Sequence, residues 1–173
     1  MLDRFVYGEV SRISPEAPVP VLRTRRSVSM PGGVGNVARN LASLGARVTL
    51  GSVAGDDGEG RVLAGLLAEE PGLTDAVLYA PKARTVVKTR YVAAGQQLLR
   101  LDEEEALDTA WVGDGVFDGA HAILISDYAK GVVSDALIAA ALAHAKDAGV
   151  PVIVDPKGRD FARYGAVDLI KPN

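Results

Sequence analysis

Short apolar runs rich in β-branched residues recur at 48–53, 122–126, 150–155 and 167–170, each bounded by polar or glycine-containing segments. Uninterrupted runs of this length are the pattern of strands buried on both faces of a parallel sheet. Between them lie Ala/Leu-rich stretches that read as helices. One covers 36–44 and stops at Gly45; another covers 58–68 and ends before Pro71-Gly72; a third covers 134–148, with Ser134 placed to cap its start and Gly149 to end it. Glycine just past the last apolar position ends a helix because it enters the left-handed conformation without a Cβ clash. From Ser134 to Pro156 the order is therefore helix, stop, strand, half of a right-handed β-α-β unit. The pattern predicts an α/β fold.

Two segments break this rhythm. Residues 4–30 have no helical period and contain Pro15, Pro18 and Pro20, which favours an edge strand or extended loop. Residues 83–103 read as a hairpin, with 86–92 and 96–101 flanking Ala93-Ala94-Gly95. Together the two segments predict a small second sheet. The stretch 106–119 is ambiguous, because glycines at 113 and 115 weaken a helix there.

Composition narrows the class. The 173 residues are 48% hydrophobic and 24% charged, as in a globular chain of about one domain or part of a larger one. A folded chain of this mass exposes roughly 8,000 Å². The net charge of −3 provides no basic field for nucleic acid or an anionic membrane surface, so any anion site must be local. The absence of cysteine excludes disulfides, thiolate metal sites and a cysteine nucleophile. No apolar run is long enough to span a bilayer and no signal-peptide pattern opens the chain, so a cytoplasmic location is expected. Both ends read as cut: no apolar strand precedes Met1-Leu2-Asp3, and Lys171-Pro172-Asn173 follows directly on a strand.

Four polar segments carry candidate chemistry. Pro31-Gly32-Gly33-Val34-Gly35-Asn36 is a glycine-rich turn entering a helix, where a ligand can approach the backbone and meet unpaired N–H donors. Asn36 adds a side chain that both donates to and accepts from a hydroxyl. The spacing matches neither a Walker A loop nor GxGxxG, which argues against a nicotinamide-binding protein. Ser126-Asp127-Tyr128-Ala129-Lys130-Gly131, Asp155-Pro156-Lys157-Gly158 and Lys171-Pro172-Asn173 each follow an apolar run. Ligands of open α/β sheets bind beyond the carboxyl ends of strands, so the loops point to one shared crevice. Arg90 and Arg100 read most simply as residues of an exposed strand face.

Taken in order, these segments resemble the ribokinase-like (PfkB) sugar kinases. Ser11-Arg12-Ile13-Ser14-Pro15-Glu16-Ala17-Pro18-Val19-Pro20-Val21, together with Gln96-Gln97-Leu98-Leu99-Arg100-Leu101-Asp102, is similar to the branch that phosphorylates heptose 7-phosphate. The resemblance covers essentially the whole chain. It implies the N-terminal, sugar-binding portion of one three-layer α/β sandwich with a mainly parallel sheet. The segments 4–30 and 83–103 would form a β-sheet lid, often also a dimer interface. It further implies ATP and Mg2+ as cofactors, a heptose phosphate substrate and a possible adenylyltransferase domain, fused or separate. Asp3 matches the aspartate that accepts from sugar hydroxyls, and Gly32, Gly33 and Asn36 match the sugar-cradling turn. Arg100 and Lys130 are candidates for the 7-phosphate, with Asp127 holding a hydroxyl or orienting Lys130; these three rest on charge and loop position as well. Lys157 and Asn173 match positions facing the ATP phosphates and magnesium. The family's catalytic aspartate lies in a Gly-Ala-Gly-Asp motif that this sequence does not contain, so no catalytic residue and no metal ligand is assigned here, and the chain alone is expected to be inactive. Other phosphosugar kinases, or a non-catalytic sugar-phosphate binding or dimerisation module, are the alternatives.

Overall fold

The computed structural model describes residues 1–105, 107 and 111–172. The chain opens on two long antiparallel strands, β1 (Leu2–Ile13) and β2 (Pro20–Pro31). Prolines 15 and 18 fall in their connection, and Pro20 and Pro31 at the ends of β2. That strand lies at the sheet edge, where a missing N–H costs little. Further on, β5 (Val87–Ala93) pairs in parallel with β1 and returns antiparallel as β6 (Gln96–Glu103). Ala94 and Gly95, both at positive φ (47° and 78°), form the two-residue turn that such a hairpin favours. The two segments predicted to form a second sheet thus share one four-stranded sheet, ordered β2-β1-β5-β6.

The remaining elements form the α/β body. After β2 come α1 (Val34–Ser43), β3 (Val48–Gly55), α2 (Gly58–Ala68) and β4 (Leu73–Ala80). The pattern assigned nothing to β4, because Thr74 and Asp75 interrupt its apolar positions. Pairing in parallel with β3 along its full length supplies the order that the local sequence does not. Beyond the second hairpin lie β7 (Ile123–Ser126), α3 (Asp135–Ala148), β8 (Val152–Asp155), a 3-10 turn at Ala162–Tyr164 and β9 (Leu169–Ile170). Ser134 Oγ accepts from the Leu137 N–H at 3.1 Å and Gly149 closes α3 at φ 68°, as the cap residues predict. The ambiguous stretch at 106–119 lies partly outside the described residues. Its described part from Trp111 onward is neither helix nor strand.

The parallel strands divide into two sheets, β3-β4 and β7-β8-β9. Each has its own core. One gathers Leu2, Ala38, Leu50, Leu63, Leu67 and Val87; the other gathers Ile123, Ile125, Ile138, Val152, Val154 and Tyr164. A cleft of about 800 Å³ separates the facing edges of β3 and β7 and reaches Gly32, Tyr128 and Lys130. Trp111 and Val116 pack into it against Gly51, where a Cβ would stand 2.8 Å from the indole and closer still to Val116. The chain exposes 10426 Å², roughly 30% more than its mass predicts.

Candidate functional site

The start of β1 meets the start of α1. The Gly32 N–H donates to the Met1 carbonyl at 3.0 Å, which brings the turn after β2 against Asp3. A Cβ on Gly32 would stand 2.7 Å from Asp3 Cγ, so only glycine lets the turn close on this carboxylate. Gly33 caps α1 at φ 54°, a conformation that side chains rarely adopt, and no side chain caps the helix. Its backbone lies beside the ring of Tyr128, 3.6 Å from where a Cβ would be. Asn36 follows on the first turn with its side chain exposed. Asp3, Gly32 and Gly33 therefore meet at one corner, with Asn36 on the helix turn that follows.

The small sheet brings charges to this corner by register. Asp3 lies opposite Lys88, Lys88 opposite Asp102, and Arg90 opposite Arg100, so alternation places all five on one face. Arg90 Nη1 donates to Asp3 Oδ1 at 2.7 Å, and its guanidinium lies 5.1 Å from the centre of the Phe5 ring. Arg90 is thus a tethered partner of Asp3, which corrects the reading of it as a plain exposed residue. Lys88 Nζ donates to Asp102 at 2.6 Å and to Glu104 at 3.3 Å. Arg100 Nε donates to Asp102 at 2.8 Å, and Lys130 Nζ to Glu104 at 2.7 Å. Arg100 and Lys130 therefore belong to one chain of alternating charges. The Lys88 ammonium, followed by Arg100, holds the Asp102 carboxyl below its usual range. Lys130, followed by Lys88, does the same for Glu104.

On the other side of the corner, the loop after β7 is shaped by Asp127. Its side chain is 3% exposed, accepting from the Ala129 N–H at 2.7 Å and from the Tyr164 hydroxyl at 2.8 Å, with Arg163 at 3.4 Å. Burial, and then the bond to Asp127, pushes the Tyr164 phenol up. Asp127 is turned inward to these partners while Lys130 turns to Glu104, so the two side chains bond different groups. Positive φ at Ala129 (54°) and Gly131 (88°) carries the chain sharply from one to the other. Burial, and then the charges of Asp155 and Asp3, raises the Tyr128 phenol. Sequence reasoning missed Lys88, Glu104, Arg163 and Tyr164. For Lys88 the signal was its two-residue spacing from Arg90 on a predicted strand.

Asp155 ends β8 with Oδ1 buried and unpartnered among the described residues, and Lys157 stands exposed on the loop that follows. Asn173 lies outside the described residues. Among the described residues no three acidic or histidine side chains cluster into a metal site, and no step through magnesium is derived.

Residues 2–173 match the family model described as pfkB family carbohydrate kinase. The chain belongs to this family. Similar pfkB-type relatives include the bifunctional protein HldE of Gluconacetobacter diazotrophicus, 51% identical over 181 residues that cover all of this chain and 37% of that protein. HldE of Hyphomonas neptunium is 52% identical with the same coverage. The chain thus spans little more than a third of the length of these relatives. Among solved structures, the tetrameric inhibited form of phosphofructokinase-2 from Escherichia coli aligns over 99% of this chain and 57% of its own, with a TM-score of 0.71 and 28% identity. Arabidopsis thaliana ribokinase complexed with ribose and ATP shares the fold, with a TM-score of 0.67 at 20% identity over 99% of this chain and 57% of that one. The α/β body with its small sheet is therefore the ribokinase-like fold.

Proposed function

We propose that this pfkB-family chain forms the sugar-phosphate-binding part of an ATP-dependent kinase acting on D-glycero-β-D-manno-heptose 7-phosphate. The intact enzyme transfers the γ-phosphoryl group of ATP to the anomeric hydroxyl, giving the 1,7-bisphosphate in ADP-heptose biosynthesis. The observation that carries the reading is one corner in which a hydroxyl-accepting carboxylate, Asp3, meets a glycine turn and a line of cations ending at Lys130. It is supported by the identity of half of all positions to the HldE relatives.

In this reading Asp3 accepts from sugar hydroxyls and is oriented by Arg90. Gly32 and Gly33 let the sugar approach the backbone, and Asn36 bonds a further hydroxyl. Arg100 and Lys130 take the 7-phosphate, where paired charges give strong, directional bonds. Asp127 is a positioning residue that shapes the loop carrying Lys130. Lys157 and Asn173 face the ATP phosphates; bound magnesium would neutralise charge on the transferring group. The sequence contains no Gly-Ala-Gly-Asp, so the proton-accepting step is assigned to no residue here, and the chain alone is expected to give no heptose-dependent ADP.

Calorimetric titration with heptose 7-phosphate, with fructose 6-phosphate as control, tests the reading. Saturable binding at least tenfold tighter for the heptose is expected. Equal or preferred binding of fructose 6-phosphate would replace it with another phosphosugar kinase. That outcome has a structural precedent, since phosphofructokinase-2 in complex with fructose-6-phosphate aligns with a TM-score of 0.69 and 29% identity. Binding of neither would overturn it.

The same reading includes a cytoplasmic location, a homodimer through the small sheet and an adenylyltransferase domain elsewhere in the parent protein. The dimer is supported by the exposed apolar residues Ile13, Val19 and Leu99 on that sheet and its connection. Sedimentation that gives a monomer at all concentrations would remove it.

A further inference from the structure

Glu104 directly follows the last residue of β6 and has no role in the reading above. Its carboxylate joins two elements that are distant in sequence: Oε1 accepts from Lys130 Nζ at 2.7 Å, and Oε2 from Lys88 Nζ at 3.3 Å. The Leu107 N–H donates to the Lys130 carbonyl at 3.3 Å, which sets Leu107 beside the loop that carries Lys130. Glu104 and Lys130 keep about a third of their side-chain surface open, so an anion from solvent reaches both.

The charge balance is informative. Among the described residues, Lys88, Arg100 and Lys130 form ion pairs with Asp102 and Glu104, three cations with two carboxylates, which leaves one positive charge over in this group. Replacing the single charge of Glu104 by a dianion makes the cluster neutral. Lys88 keeps Asp102 as a partner during the exchange, whereas Lys130 is left for the incoming group. Partly exposed ion pairs are weak, and phosphate offers three acceptor oxygens where the carboxylate offers two.

We propose that Glu104 occupies the position of the substrate's phosphate in the ligand-free protein, and that the phosphate displaces it to bind Lys88 and Lys130 together. This rests on the reading of Lys130 as a phosphate ligand; it adds Lys88 to Arg100 and Lys130 as a further ligand and Glu104 as the residue that competes with the phosphate. A sugar without phosphate, or with a weakly charged group in its place, offers nothing to exchange for the carboxylate. Glu104 therefore tempers the affinity for phosphorylated sugars and leaves that for neutral sugars unchanged.

Titration of the unchanged chain and of Glu104→Gln with inorganic phosphate and with heptose 7-phosphate tests the exchange. Removing the competing charge frees the lysines, and Glu104→Gln is expected to bind both about three- to fivefold more tightly. Lys130→Gln is expected to weaken both, and adding Glu104→Gln to it should restore nothing. Glu104→Ala repeats the test should the glutamine variant fail to fold. Unchanged or weaker phosphate binding in a folded Glu104 variant would make the residue a structural strap and overturn the exchange, as would binding of neither anion. A gain for inorganic phosphate without preference for heptose 7-phosphate over fructose 6-phosphate would keep the exchange and discard the heptose reading. Selective heptose 7-phosphate binding that Glu104→Gln does not improve would do the reverse.

Discussion

Gly32 and Asp3 constrain each other. The carboxylate occupies the space that any side chain at 32 would fill, and it is fixed there by Arg90. In Gly32→Ala the turn, α1 and the carboxylate cannot all keep their places. Sugar affinity is expected to fall at least tenfold, with stability lower by about 1–3 kcal/mol from overpacking. Titration and thermal melting of the variant check the two effects separately. Undiminished sugar binding would show that Asp3 does not need its present position.

At the level of elements, the root of the small sheet is tied to the body by Asp57. Its Oδ1 caps α2 by accepting from the Gly60 N–H at 2.7 Å, and its Oδ2 accepts from the Thr85 N–H at 2.9 Å, two residues before β5. Thr85 Oγ1 in turn accepts from the Gly55 N–H at 3.0 Å, at the end of β3. Burial opposes the charge on Asp57, but the N–H donors of Thr85 and Gly60 outweigh it and hold the carboxyl below its usual range. The side chains of Asp57 and Thr85 together thus join α2, β3 and the segment that enters β5. Asp57→Ala removes a cap and leaves the Thr85 N–H unpaired, and is expected to cost about 2–3 kcal/mol. The denaturation midpoint measures this; a loss within about 0.5 kcal/mol would show that the elements hold together without it.

The whole molecule is two cores flanking an open cleft, with a small sheet anchored in one core by Leu2 and Val87 and bearing a line of paired charges on one face. Asp102 and Glu104 titrate below their ordinary values of 3.8 and 4.5 when folded. Below those values the unfolded chain takes up protons first. Their contribution to stability is therefore complete above about pH 5 and is lost as the pH falls through their folded values. Asp57 adds to the same trend. At low salt the unfolding midpoint is expected to drop steadily from about pH 5 towards pH 3, and Glu104→Gln should flatten part of that slope. A slope identical in the variant would show that Glu104 does not contribute to it.

What the sequence determined by itself was local. The α2 range, the Ser134 cap, the Gly149 stop and the hairpin turn follow from rules that act within a few residues, and all are legible along the chain. The glycine turn and the strand-end loops were legible as segments. Their partners were not: Asp3 meets Arg90 across 87 positions, and Asp127 meets Tyr164 across 37. Nor does local pattern assign β4, which depends on β3 beside it. The link from Lys88 through Glu104 to Lys130 was decided by sheet register and by how the loop after β7 packs. Both are set by pairing and burial between distant segments, which no window along the chain contains.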